Sequence, residues 1–170
     1  IYSGNRDDLI NGGKGNDILD GQDGNDTYIF NLGDGQDTIY DYSYNTDNKD
    51  TISFGDGIQV DDLSVTRNNY DLVVSIKETQ DSITITNWFS SSQYQIEEFV
   101  FTDGTTLTLQ QIESMVILKG TDNSDTISGF ETNDVIIGSK GNDQLSGNDG
   151  NYTYIFNLGD GQDTIYDYSY

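Results

Sequence analysis

A nine-residue period limits what this chain can fold into more than any other feature it carries. Gly12-Gly13-Lys14-Gly15-Asn16-Asp17-Ile18-Leu19-Asp20 is followed without a gap by Gly21-Gln22-Asp23-Gly24-Asn25-Asp26-Thr27-Tyr28-Ile29. Both stretches read Gly-x-x-Gly-x-Asp, then one residue, a large apolar residue and one more. Glycines at these places permit tight turns with positive φ and let turn carbonyls point inward without a Cβ in the way. The aspartate at the sixth place adds a hard anionic oxygen, the ligand type that Ca²⁺ prefers. The apolar residue at the eighth place is the inward side chain of a strand only about three residues long. So short a strand cannot bury its face alone, and each unit must therefore stack on copies of itself.

The period runs on in both directions. Ser3 to Asn11 keeps Asp8 and Ile10 in register, although Arg6 replaces the turn glycine. After two extra residues, Phe30 and Asn31, the stretch from Leu32 to Tyr40 again carries Gly35, Asp37 and Ile39 at the repeat's places. Asp41, Asp47 and Asp50 then lead to Thr51-Ile52-Ser53-Phe54, expected to be the last edge of this block. A second block starts at Gly120, Gly129, Gly138 and Gly147, with sixth places Asp125, Asp134, Asp143 and Tyr152. The tyrosine breaks the pattern, so its turn should not be a full-strength site. Thr27–Tyr44 and Thr153–Tyr170 are identical letter for letter, an offset of 126 residues (153 − 27). We read the chain as a slice of a longer tandem array.

The 170 residues carry a formal charge of −23, with 30 acidic against 7 basic residues. Binding a phosphate backbone needs clustered Lys and Arg, so nucleic acid is excluded as a partner, and an anionic membrane surface is disfavoured. The acids recur on a fixed ruler, unlike those of a disordered acidic tail. Without metal, facing carboxylates would repel and the chain should be disordered. Cysteine and histidine are both absent, which removes disulfides, thiolate metal sites and the usual general base. No apolar run approaches a membrane span; Val116-Ile117-Leu118 is among the densest.

Between the blocks the pattern changes. The expected organisation is a first roll at 1–57, an insert at 58–118 and a second roll at 119–170. Leu63-Ser64-Val65-Thr66-Arg67 and Leu72-Val73-Val74-Ser75-Ile76 should form a hairpin across Asn68 to Asp71. Ser82 to Thr86 alternates and should pair with the preceding strand. Asp103-Gly104 reads as a two-residue hairpin turn between Ile96–Thr102 and Thr105–Leu109. Trp88 and Phe89 should plug one end of the sheet as core or cap. Leu109, Ile112, Met115 and Val116 have helical spacing and predict a short helix within 109–118. The expected fold is all-β: two rolls of nonapeptide repeats flanking a small antiparallel meander with one short helix. The meander should seal a stack edge that would otherwise invite aggregation.

These motifs resemble the RTX, or haemolysin-type calcium-binding, proteins. The segment from Gly33 to about Met115 resembles the associated haemolysin-type calcium-binding-related domain, through Gly33-Asp34-Gly35-Gln36-Asp37, Asp71-Leu72-Val73, Ile83-Thr84-Ile85, Trp88-Phe89 and Phe101-Thr102-Asp103-Gly104-Thr105. The resemblance implies a parallel β-roll in which two nonapeptides make one coil, so that turns two repeats apart face each other. Asp8 would then face Asp26, Asp17 face Asp37, Asp125 face Asp143, Asp143 face Asp163, and Asp134 face Tyr152. Each ion would take facing aspartates and turn carbonyls, with Gly13, Gly15, Gly24, Gly35, Gly141, Gly150 and Gly161 marking the turns. On the order of four to six Ca²⁺ ions are expected. The resemblance also implies type I secretion and folding on calcium outside the cell.

Three functions suit these features. The first is a non-catalytic, calcium-folded repeat of a large secreted or surface protein, such as an adhesin stalk, matrix component or filament, with neighbouring repeats or other copies as partners. The second is the export and folding module of a secreted toxin or hydrolase whose active domain lies elsewhere. The third is a carbohydrate site using Tyr40, Tyr42, Tyr44 or Trp88. Against it, the tyrosines alternate as a packing face would, and Glu97 and Glu98 should point to opposite sides of a strand.

Overall fold

The computed structural model describes residues 1–45, 47–130, 134–148 and 151–167. The chain forms two compact units, Ile1–Leu109 and Gln110–Tyr170. This division falls after Leu109, whereas the sequence pattern changes near residues 58 and 118.

In the first unit, the nonapeptides supply β1 (Leu9–Asn11), β2 (Ile18–Asp20), β3 (Thr27–Phe30) and β4 (Gln36–Tyr40), followed by β5 (Thr51–Phe54). Each glycine turn swings the chain across the roll, so consecutive repeats enter opposite sheets. β1, β3 and β5 are parallel neighbours in one sheet, and β2 and β4 in the other. The register places Ile10, Tyr28 and Ile52 in one column and Leu19 and Ile39 in another, all of them buried. With a side-chain period of two, the residues just before them, Leu9 and Ile18, point outward and are exposed. A two-turn roll of this kind has only one or two apolar side chains per strand to bury, worth about 1.5–3 kcal/mol each.

The insert contributes β6 (Leu63–Asn68), β7 (Asp71–Ile76), β8 (Ser82–Ile85), β9 (Glu98–Val100) and β10 (Thr106–Thr108). β6 and β7 pair antiparallel about a turn in which Asn69 has φ +56°, β8 pairs antiparallel with β7, and β10 with β9. The meander expected from the sequence is therefore present, with one difference. β8 also lies parallel to β4, and β9 lies parallel to β5, so the insert continues both sheets of the roll. Contrary to expectation, β5 is thus an interior strand and not the last edge. The reason is physical: Ile39 and Ile52 need a further layer, and Ile85 and Phe99 extend their columns as buried residues. The ladder is satisfied at the same time, the Ser82 amide donating to the Gly35 carbonyl (2.9 Å) and the Thr86 amide to that of Ile39 (3.0 Å).

Trp88 is buried with its ring 6.2 Å from Phe99, and Phe54 packs 4.9 Å from Phe101. Phe89 is only half-buried and lies under the Arg67 guanidinium at 4.7 Å. Of the pair expected to plug the sheet, Trp88 is core and Phe89 is edge. Tyr42 does not continue a strand face; its ring packs against Tyr44 (4.9 Å) and Tyr94 (5.0 Å). The helix α1 covers Leu109–Glu113, shorter than the 109–118 spacing suggests, with Ile112 buried.

The second unit contains β11 (Ile117–Lys119), β12 (Thr126–Ser128), β13 (Val135–Ile137), β14 (Gln144–Ser146), β15 (Thr153–Ile155) and β16 (Thr164–Tyr166). Odd strands β11, β13 and β15 form one parallel set, and β12, β14 and β16 the other. Leu118, Ile136 and Leu145 make its buried centre. Each unit is accordingly built on a parallel β-roll, and the fold is all-β with one short α-helix among the described residues.

Candidate metal centre

The roll brings the sixth-place aspartates together in ladders. The backbone N–H of Asp8 donates to Asp26 Oδ1 at 2.9 Å, and that of Asp17 to Asp37 Oδ1 at 3.0 Å. In the second unit the Asp125 N–H donates to Asp143 Oδ1 at 2.8 Å, and the Asp143 N–H to Asp163 Oδ1 at 3.1 Å. These are the facing pairs named from the sequence. One carboxylate oxygen is thereby spent on holding adjacent turns in register. The second oxygen decides whether the residues fit a cation. Oδ2 of Asp17, Asp26 and Asp143 is buried and has no hydrogen-bond partner. A buried acceptor in that state is costly unless something positive meets it, and Ca²⁺ is the ligand that this all-oxygen donor set suits.

Not every ladder place is equal. Asp125 Oδ2 is held by its own turn, accepting from the Thr121 amide (2.6 Å) and hydroxyl (2.9 Å). Asp134 Oδ2 accepts from the Phe130 amide at 2.8 Å, and the residue facing Asp134 is Tyr152, whose hydroxyl donates to the Asn148 carbonyl of its own turn. This turn lacks a second carboxylate, as expected. The turn glycines Gly13, Gly15, Gly24, Gly35, Gly141 and Gly161 all have positive φ; Gly150 lies outside the described residues. At Gly35 the requirement is also one of space, because a Cβ would run into the Gly15 carbonyl of the facing turn. Where Arg6 replaces a turn glycine, Gly24 opposite makes room, a Cβ there standing 2.5 Å from the Arg6 carbonyl oxygen.

Two ladder members were missed from the sequence. The Asp26 N–H donates to Asp50 Oδ1 (2.8 Å), and the Asp50 N–H donates to Glu97 Oε2 (2.7 Å). One ladder thus runs Asp8, Asp26, Asp50, Glu97 and enters the insert. Each member immediately precedes a strand, and Asp50-Thr51-Ile52 echoes Asp26-Thr27-Tyr28. That echo was the available signal, masked by the ten-residue turn 41–50. On the other side the ladder stops: Asp37 lies opposite Ile83, and Asp81 takes the amides of Gly33 (2.7 Å) and Gly35 (3.2 Å).

Burial governs the protonation of these groups. Loss of solvent, reinforced by neighbouring acids, pushes the Asp26 carboxyl up to about 6 despite the Asp8 amide. The same cause raises Asp50 to about 7, with Glu97 adding repulsion, and Asp41 to about 8, with Asp50 adding repulsion. Asp37 and Glu97 are also raised, mainly by burial. The Tyr28 hydroxyl, buried against Asp41, stays firmly protonated. A cation among such groups would supply the missing positive charge and keep them ionised.

The family models that match the chain agree with this geometry. Residues 2–39 and 118–154 match the RTX calcium-binding nonapeptide repeat (4 copies), and residues 71–111 match the Haemolysin-type calcium binding protein related domain. The iron-regulated protein FrpA of Neisseria meningitidis serogroup C is 38% identical over 104 residues, which cover 59% of this chain and 9% of that protein. The matched stretch therefore spans less than a tenth of that relative's length. Among solved structures, the extracellular lipase LipA from Serratia marcescens superposes with a TM-score of 0.46 at 19% identity, covering 98% of this chain and 30% of that one.

Proposed function

Because the chain carries RTX calcium-binding nonapeptide repeats on both sides of a haemolysin-type calcium-binding-related domain, we propose that it is a calcium-folded structural repeat of a large secreted or cell-surface protein. It spaces, stiffens or displays other parts of that protein and has no catalytic role of its own. The observation that carries this reading is the set of buried carboxylate oxygens on Asp17, Asp26 and Asp143 that meet no donor. The cores are thin and the charge is −23, so packing alone is a weak source of stability. An ion bound only by the folded form adds RT ln(1 + [L]/Kd), about 1–3 kcal/mol per weak to moderate site at millimolar Ca²⁺. Several such sites exceed the marginal stability of a small domain, so metal binding and folding become one event.

On this reading the repeat is pliable inside an exporting cell, where calcium is scarce, and stiff outside it. Neighbouring repeats of the same chain are its natural partners, since a parallel roll adds coils at its ends. Far-UV circular dichroism with and without millimolar Ca²⁺, together with small-angle scattering, tests the proposal. Above about pH 8, where the buried acids are ionised, a β-rich, compact state should appear on adding calcium and vanish on chelation. A spectrum and radius of gyration unchanged by chelation would contradict it.

A further inference from the structure

Asp41 belongs to no nonapeptide sixth place, and the amide-to-carboxylate ladder does not use it. β4 stacks in parallel on β2 with Tyr40 opposite Asp20, so Asp41 enters the place that Gly21 holds one coil earlier. Tyr44, Lys49 and Asp50 consequently meet Asp23, Asn25 and Asp26 of the turn 21–26. Asp41 Oδ2 accepts from the Tyr28 hydroxyl at 2.9 Å, and that hydroxyl accepts from the Gly21 amide at 2.9 Å. Asp41 Oδ1 is buried and has no partner, and Asp26 Oδ2 is in the same state. Asp26, Asp41 and Asp50 are all buried, and each offers a carboxylate oxygen within 4.8 Å of the others. Asp50 has its remaining oxygen near the Asn48 amide nitrogen (2.5 Å).

Buried carboxylates are normally met by a base or by enough donors to satisfy them. These three converge with two oxygens still unmet. We propose that Asp26, Asp41 and Asp50 form a buried three-carboxylate Ca²⁺ site, different in composition from the two-aspartate turns of the nonapeptides, which pins Asp41 and Asp50, the residues that follow β4 and precede β5, onto the roll. A dehydrated cage of protein oxygens suits Ca²⁺, whereas Mg²⁺ keeps several waters and demands a near-ideal octahedron. The inference rests on the calcium-binding reading above. The chain also contains its own negative control. The second copy of the segment keeps Tyr154 and Asp167 where the first has Tyr28 and Asp41, but Asp26 is replaced by Tyr152. The site therefore belongs to the first copy alone.

The test compares the full chain with its Asp41→Asn variant by native mass spectrometry and calorimetry across a Ca²⁺ titration. Asparagine keeps the shape and can still accept the Tyr28 hydroxyl, but it removes one charge. The variant should bind one ion fewer, or bind one ion at least tenfold more weakly. Asp17→Asn, on the other side of the roll, should lose an ion independently, and the double variant should lose both. Equal ion counts and affinities in wild type and Asp41→Asn would overturn this site while leaving the ladder sites standing. A wild type that binds no Ca²⁺ at all would overturn both. Melting temperatures guard against a merely structural effect. The site predicts that, starting from the lowest Ca²⁺ concentration at which both proteins are folded, Asp41→Asn gains less melting temperature than wild type as Ca²⁺ is raised to millimolar. An equal gain in the two proteins would refute it.

Discussion

The sharpest consequence of the buried acids concerns the metal-free protein as pH rises. Asp26, Asp41 and Asp50 hold carboxylate oxygens within 4.8 Å of one another. At an effective dielectric of about 20, each fully charged pair at that distance repels by about 3.5 kcal/mol. Three pairs come to about 10 kcal/mol, the size of a whole domain's stability. Burial first, and repulsion from neighbouring acids second, raise these groups to about 6, 8 and 7, respectively, from the ordinary carboxylate value. A carboxyl whose pKa is higher in the folded state binds protons more tightly there than in the unfolded chain. Stability of the metal-free fold is therefore greatest at acidic pH and is lost as pH rises through the folded values. Between about pH 5 and pH 8 the loss should be on the order of 5 kcal/mol, enough to lower the melting temperature by well over 10 °C.

With Ca²⁺ present the slope reverses, because the ion needs the ionised carboxylates and competes with protons for them. The assay is thermal unfolding followed by circular dichroism, on protein stripped of metal and on protein in millimolar Ca²⁺. High salt screens the exposed acids but hardly touches the buried set. A metal-free melting temperature that stays level or climbs from pH 5 to pH 8 in high salt would refute the reasoning.

Other outcomes follow from single places in the roll. Gly35→Ala forces a side chain at φ +101° into the Gly15 carbonyl, so it should cost more than about 1–3 kcal/mol of strain and weaken calcium binding. Gly104→Ala, at φ +88° with open space around it, should cost only about 1 kcal/mol; chemical denaturation with Ca²⁺ present would separate the two. Ile52→Ala empties an interior column between Tyr28 and Phe99 and should cost about 2–5 kcal/mol, read as a shift of the denaturant midpoint at unchanged slope. Lys140→Ala removes an exposed ion pair with Asp122 and should leave the melting temperature unchanged within error.

Much of this was legible from the period alone. The nine-residue ruler places a strand every nine residues, with Ile10, Leu19, Tyr28 and Ile39 turned inward, and the structure buries all four. The resemblance to the RTX family, and not the ruler itself, identifies which aspartates share a face, because that family's two-repeat coil makes every second turn a neighbour. The ruler could not show that Asp50 and Glu97 extend the ladder. The turn 41–50 has no glycine ruler, and Glu97 sits in a segment where local alternation gives no hint of a coil. Nor could it show Asp41 meeting Asp26 and Asp50, a contact across fifteen and nine residues of chain that only the stacking of β4 on β2 creates.

The identical segments separate what local sequence decides from what it cannot. In both copies the same letters make short strands at corresponding places, β3 and β15, β4 and β16, because turn chemistry and the alternation of apolar side chains are local properties. Yet Phe30 and Ile39 are 2% and 1% exposed, while their twins Phe156 and Ile165 are 63% and 50% exposed. In the first copy β5 and β8 lie alongside and cover the column; among the described residues, β15 and β16 have no such layer beyond them. Burial depends on what the rest of the chain stacks against a strand, and that is a property of the tertiary fold, not of the strand's own residues.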